Sequence, residues 1–219
     1  MFANNHSPWN PPPNRADLRH MSAIPLAQLP EDIEERVAAL GAHQVNLYRA
    51  LAHAPGLLRA WMDFAWLLRG HTATSRRLRE LMILRTAQLH HSPYEWHQHR
   101  RMARNEGVPE TQVAELEMWR TSTAFDECEK AALALTDAIV EGDTTPEIIE
   151  ELEKHFGYEQ RVELTVTAAF YAMVPRILDS LGVPIEGSPA EAEVLHASAD
   201  GNGTVPAGAA HDGLPRHDG

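Results

Sequence analysis

Between Arg79 and Arg104 the chain reads RELMILRTAQLHHSPYEWHQHRRMAR. Glu80, Ser92, Tyr94, Glu95, His97 and His99 put carboxylate, hydroxyl, phenol and imidazole within twenty residues, a density found nowhere else in the sequence. Imidazole titrates near neutral pH, so His99 can serve as a general acid or base. Glu95 lies four positions earlier on the same helix face, where its carboxylate can orient the ring and favour its protonated form. Glu80 sits in an apolar run with Ile83, Leu84 and Ala87 on its face. Partial desolvation there raises a carboxyl pKa and suits it to carrying protons. An ion pair with Arg76 or Arg77 is the plainer reading of the same position. Ser92-Pro93-Tyr94-Glu95 also fits a capping box, with Ser at the cap, Pro at the first helical position and Glu at the third. Ser92 and Glu95 therefore have a structural reason to be where they are.

Metal chemistry is a weaker match to the same stretch. His90, His91, His97 and His99 are close in sequence, but His97 and His99 point about 200° apart on a helix of 3.6 residues per turn. Only Glu95 and His99 share a face, and no HExxH or duplicated ExxH pattern is present. No metal is expected. Cys128 is the single cysteine, which leaves no intrachain disulfide, CxxC pair or Cys-rich zinc site.

The elements that must position these residues read as helices throughout. EDIEERVAAL carries Ile33, Val37 and Leu40 on one face and stops at Gly41. Helices follow at about 43–52, with Pro55-Gly56 as a break, at 57–68, at 75–89 and from Ser92 to Gly107. Others cover Pro109 to about Arg120, Asp126–Val140 and TPEIIEELEKHF. The last, YEQRVELTVTAAFYAMVPRILDSLG, is apolar on most faces and reads as buried, with a kink at Pro175. No alternating strand pattern, phosphate loop or GxSxG elbow is found. The expectation is an all-α single domain over residues 23–186, with a disordered arm over 1–22 and a disordered tail over 187–219. The net charge of -12, from 19 basic and 31 acidic residues, argues against a nucleic-acid partner. No apolar run is long enough to span a membrane, and the start lacks the apolar core of a signal peptide, so a cytoplasmic protein is expected.

Glu80, the turn, SPYEWHQH and the later FYAMVPRILDSLGVP together resemble the carboxymuconolactone decarboxylase family, which includes the AhpD-like alkylhydroperoxidases. The resemblance covers roughly Leu40 to Val183 and implies an AhpD-like helical bundle. In AhpD-like members a Glu is followed twelve residues later by CxxC, and a His lies four beyond the second Cys. Here Glu80, Ser92, Glu95 and His99 keep that spacing, and both cysteines are replaced. Dithiol peroxidase chemistry is therefore expected to be absent, while the acid/base half of the site is retained. The resemblance then implies a cofactor-free lyase or isomerase acting on a small oxygenated or carboxylated molecule, as in the lactone decarboxylases. His99 is the expected main acid/base, Glu80 a second proton carrier, and Glu95 the group that orients the ring. Tyr94 is the expected donor to a developing oxyanion. Arg85, Arg100 and Arg176 are candidate cations for a substrate carboxylate. A homo-oligomer (dimer, trimer or hexamer) is also implied. Two other readings remain open at this point: a non-catalytic binding or assembly protein keeping the fold, and residual peroxidase activity through Cys128.

Overall fold

The computed structural model describes residues 23–39, 45–70 and 72–199, with side chains described to 196. Among these residues every regular element is helical: α1 (Glu31–Ala39), α2 (Asn46–Leu51), α3 (Pro55–Arg69), α4 (Arg76–Leu89), α5 (Pro93–Asn105) and α6 (Glu110–Glu115). A 3₁₀ turn at Leu116–Met118 follows, then α7 (Glu127–Glu141), α8 (Pro146–His155), α9 (Tyr158–Leu181) and α10 (Pro189–Ala199). None of the described helices is long and apolar enough to cross a membrane.

The helix boundaries follow local chemistry. Ser75 accepts the Leu78 N–H at the start of α4, and Asp126 and Glu129 form a reciprocal capping box at the start of α7. Pro55 does not act as the expected break: it begins α3, because a first-turn residue needs no N–H partner. Helix α9 runs through Pro175 unbroken. In that turn the Ala172 carbonyl accepts from Arg176 Nη1. Gly182 ends α9 with φ 61°, and a Cβ there would lie 3.0 Å from the Ala23 Cα. Both facts favour glycine at that position.

Helix α4 is the centre of the molecule. It packs against α5, α7 and α9 and supplies residues to three apolar clusters. Ile83 joins α1–α3 and the far half of α9; Leu81, Leu84 and Ala87 join α5, α6 and α7; Leu78 and Met82 join α7, α8 and the near half of α9. Every residue from Leu78 to Gln88 is consequently buried. The sequence suggested α9 for this all-round burial. In the structure α9 buries one side only, leaving Tyr158, Val162 and Met173 exposed.

Central burial forces each charge on α4 to find partners, since an unpaired buried charge costs several kcal/mol (roughly 3–5). Arg77 pairs with Glu129 of α7. Arg79 donates to Thr74 O at 2.5 Å and Gly70 O at 2.9 Å, fastening the chain that leads into α4. Arg85 donates to Asp137 of α7 at 2.6 and 3.1 Å.

The expected domain end at 186 coincides with a contact rather than a boundary. Glu186 accepts from the Asn46 N–H at 2.6 Å and Glu191 from Asn46 Nδ2 at 2.8 Å, so the first part of α10 is fastened to α2. Residues 1–22 and 200–219, and with them the expected arm and most of the expected tail, lie outside the described residues. So do Leu40 and Gly41.

Candidate active site

The α4–α5 turn sets the geometry. Helix α4 closes with a Schellman arrangement: the His91 N–H donates to Gln88 O at 3.0 Å and the Ser92 N–H to Ala87 O at 2.9 Å. His91 takes the left-handed position with φ 51°. Ser92 then caps α5 by accepting the Glu95 N–H at 3.4 Å, and Pro93 occupies the first turn. The expected reciprocal half of the capping box is not formed. The Ser92 N–H is already bonded to Ala87, which frees the Glu95 side chain to turn inward.

His99 lies between two carboxyls. Its Nδ1 is 2.8 Å from Glu80 Oε2, and its Nε2 is 3.5 Å from Glu95 Oε2. Arg76 Nη2 donates to the other Glu80 oxygen. The tighter partner of the ring is therefore Glu80, not Glu95, so the orienting role expected of Glu95 falls to Glu80. The Tyr171 ring meets His99 edge-on, with centroids 5.0 Å apart. Glu80, Glu95 and His99 are all buried.

The two carboxyls are driven in opposite directions. Burial alone would push the Glu80 pKa up, but His99, Arg76 and Arg69 outweigh it and hold Glu80 below its ordinary value. Burial pushes Glu95 up; His99 and Arg69 oppose this, while Glu80 and Glu186 add to it, and the net direction is upward. Its Oε2 is buried with no hydrogen-bond partner. An ionised Glu80 only accepts, so a neutral His99 must carry its proton on Nδ1 and present the Nε2 lone pair toward Glu95. Two carboxyls driven in opposite directions on either side of one imidazole make an acid/base constellation.

Stability should record this asymmetry. A folded Glu95 keeps its proton to higher pH than an unfolded one. Its stabilising contribution is complete below the ordinary 4.5 and is lost as pH rises through the folded value. Glu80 has the opposite sign: its contribution is present above 4.5 and lost as pH falls through the depressed value. Glu95→Gln should therefore be more stable than wild type by about 1–3 kcal/mol at pH 8, with the gap closing at pH 4. Urea melts at the two pH values check this; a gap that widens in acid would contradict it.

The remaining expected residues lie elsewhere. Tyr94 donates to Glu186 at 2.6 Å and accepts the Leu47 N–H at 3.2 Å, so its phenol is committed to the segment after α9. Gln98 donates to the other Glu186 oxygen at 2.6 Å. Arg85 belongs to the Asp137 pair, Arg100 to the exposed Glu110 at 3.2 Å, and Arg176 to Ala172 O and His90. None of the three is hydrogen-bonded to the Glu80–His99–Glu95 group. The cations beside that group are Arg76 and Arg69. The sequence offered a sign of Arg76, at helical spacing before Glu80. It offered none of Arg69, whose contacts come from helices far apart in the chain. Cys128 has its thiol pKa pushed up by burial, Asp126 and Glu129, the reverse of what a reactive thiolate needs.

The carboxymuconolactone decarboxylase family matches residues 55–138, which hold Glu80, Glu95 and His99. A comparison with curated proteins gives no match. Among solved structures, a peroxidase-related protein of Ralstonia eutropha JMP134 with an alkylhydroperoxidase AhpD core is similar at a TM-score of 0.65 and 18% identity, over 81% of this chain and 96% of that one. A peroxidase-related protein of Silicibacter sp. TM1040 is similar at 0.65 and 18%, over 77% and 94%. The debrominase Bmp8, in a cysteine-to-alanine form with bound 2,3,4-tribromopyrrole, is similar at 0.64 and 18%, over 78% and 95%. At these identities the likeness is one of fold. The chain thus matches the carboxymuconolactone decarboxylase family over residues 55–138, has an AhpD-like all-α fold, and lacks the paired cysteines.

Proposed function

We propose that this protein is an acid/base enzyme, a lyase or isomerase that decarboxylates or moves a proton on a small oxygenated organic molecule using side chains alone. One observation carries the reading: an imidazole fixed through Nδ1 by an ionised Glu80 presents Nε2 toward the buried, unpartnered Glu95 Oε2. In an isomerisation, Nε2 takes a proton from carbon beside a carbonyl, and the C–H electron pair passes to the carbonyl oxygen as an enolate. Glu80 stabilises the imidazolium so formed; Glu95 returns a proton to carbon and then, as carboxylate, takes the proton from Nε2, which restores both groups. In a decarboxylation the C–C bond breaks with loss of CO₂, and the same enolate is protonated from the same side. The Bmp8 complex supports a small ring as ligand for this fold. A cytoplasmic setting suits the single cysteine.

The test is a screen of lactone acids and 1,3-dicarbonyl acids in D₂O, scored for CO₂ release and deuterium incorporation at carbon. Turnover that depends on His99 supports the reading; its absence across the panel sinks it. That negative outcome favours a non-catalytic binding or assembly protein, a reading supported by the burial of Glu80 and His99 to 0% and 1% exposure.

We further propose that the protein self-associates through α3 and α9. Leu57, Phe64 and Leu67 of α3 are 43–67% exposed, and Val162 and Met173 of α9 are 63% and 41% exposed. The Phe64 and Phe170 rings, 5.2 Å apart, join the two faces. An apolar surface of this kind is what a second copy covers. Light scattering should give a multiple of the 24.4 kDa chain mass, and Phe64→Lys with Leu67→Lys should return it to one chain. A wild type that stays at one chain mass would refute this.

A further inference from the structure

The last residue of α3 is an arginine with no acidic hydrogen-bond partner. Arg69 Nη1 donates to the Tyr48 hydroxyl at 3.0 Å, and Nε donates to the Tyr171 hydroxyl at 3.4 Å. Its Nη2 makes no hydrogen bond among the described residues. The guanidinium carbon lies 5.6 Å from the Trp66 ring. Both phenols are buried, and each oxygen already accepts from Arg69. Each therefore still has an O–H to donate, and neither donates to any described residue. Three helices, α2, α3 and α9, thus bring together a cation and two unused hydroxyl donors. Tyr171 carries this cluster to the edge of His99.

Arg69 acts on Glu80 and Glu95 through space, but no described carboxylate hydrogen-bonds it. Glu80 is held by Arg76 and His99, and Glu95 makes no hydrogen bond through Oε2. A partly desolvated guanidinium with two idle phenol donors is stabilised most by an oxyanion, which accepts from all three. Arg69 and Arg76 are also only part-buried, while Tyr48, Tyr171, Glu80, Glu95 and His99 are buried. Solvent therefore meets the cluster at its arginines.

We infer that Arg69, Tyr48 and Tyr171 form a binding site for the oxyanion of a small organic carboxylate, seated on the Tyr171 side of His99. The inference deepens the acid/base reading, resting on it for what happens after binding. Arginine places the negative charge, the phenols fix its direction, and the carbon skeleton is left facing the imidazole. An enolate formed during turnover would be held by the same donors.

Benzoate and the isosteric neutral benzamide are the probes, added to the full chain while the His99 ring is followed by NMR. Benzoate should bind saturably and shift the His99 resonances, with benzamide at least about tenfold weaker. Arg69→Met should weaken benzoate by about tenfold or more, and Arg69→Lys by less, because charge is kept and the fork is lost. Tyr48→Phe with Tyr171→Phe should also weaken benzoate, and it keeps the inference testable if Arg69→Met does not fold. Failure of wild type to bind benzoate, equal binding of benzamide, or unchanged benzoate affinity in Arg69→Met or in the double phenylalanine variant overturns the inference. Benzoate binding without any turnover across the substrate screen would sink the acid/base reading alone. Turnover without benzoate binding would sink this one alone.

Discussion

Asp137→Ala should destabilise the protein by about 3–5 kcal/mol, the cost of breaking a buried charge pair from one side. Asp137 on α7 is 1% exposed and accepts from Arg85 of α4 at 2.6 and 3.1 Å. It also accepts from the Trp119 indole at 3.2 Å and from Arg120 at 2.8 Å. Removing the carboxylate leaves the Arg85 guanidinium in the core with only Gln88, at 3.2 Å, as a described acceptor. It also leaves the indole N–H without its acceptor. For a chain of this size the loss corresponds to about 6–20 °C in melting temperature. Asp137→Asn, which keeps one acceptor oxygen, should fall between wild type and alanine. Asp137→Leu combined with Arg85→Met should recover most of the loss, because neither charge is then buried alone. Thermal and urea unfolding of the three variants would decide it. An Asp137→Ala protein within about 1 kcal/mol of wild type would show that water reaches Arg85 in solution.

His99→Asn should lower kcat on the substrate identified by screening by about 10²–10⁴-fold with a much smaller change in KM. The side chain remains polar and of similar reach, and Arg76 still neutralises Glu80, so the fold should survive. What is lost is the group that takes a proton at one nitrogen while the other is held by a carboxylate. Glu80→Gln should lower kcat by a smaller factor, since the imidazole stays while its counter-charge goes. Circular dichroism must first show both variants folded. Turnover by His99→Asn within about threefold of wild type would remove His99 from the mechanism.

Arg85 links these results to what could be read from the sequence. By residue type it was a fair candidate for a substrate carboxylate. Whether an arginine is free or paired depends on what faces it, however, and Asp137 lies more than fifty residues away in the chain. Tyr94 is similar: its phenol looked available for an oxyanion, and Glu186, beyond the end of α9, takes it. Arg69 was passed over because its partners Tyr48 and Tyr171 come from helices that meet only in the folded molecule.

What the sequence determined by itself was local. Helical periodicity, the Ser92 cap, Pro93 at the first turn and the spacing of Glu80, Ser92, Glu95 and His99 depend on residues within a turn or two of one another. All of these could be read before folding, and with them the all-α class and the family resemblance. The tertiary structure alone decided that α4, rather than α9, is buried on all sides. It also decided that Glu80 rather than Glu95 holds His99, and that Glu95 is left buried with an oxygen unpartnered. The physical reason is that burial and charge compensation are properties of surroundings. A carboxyl four residues from a histidine can always reach it. Its proton affinity, and the partner the histidine prefers, are set by every helix packed around them.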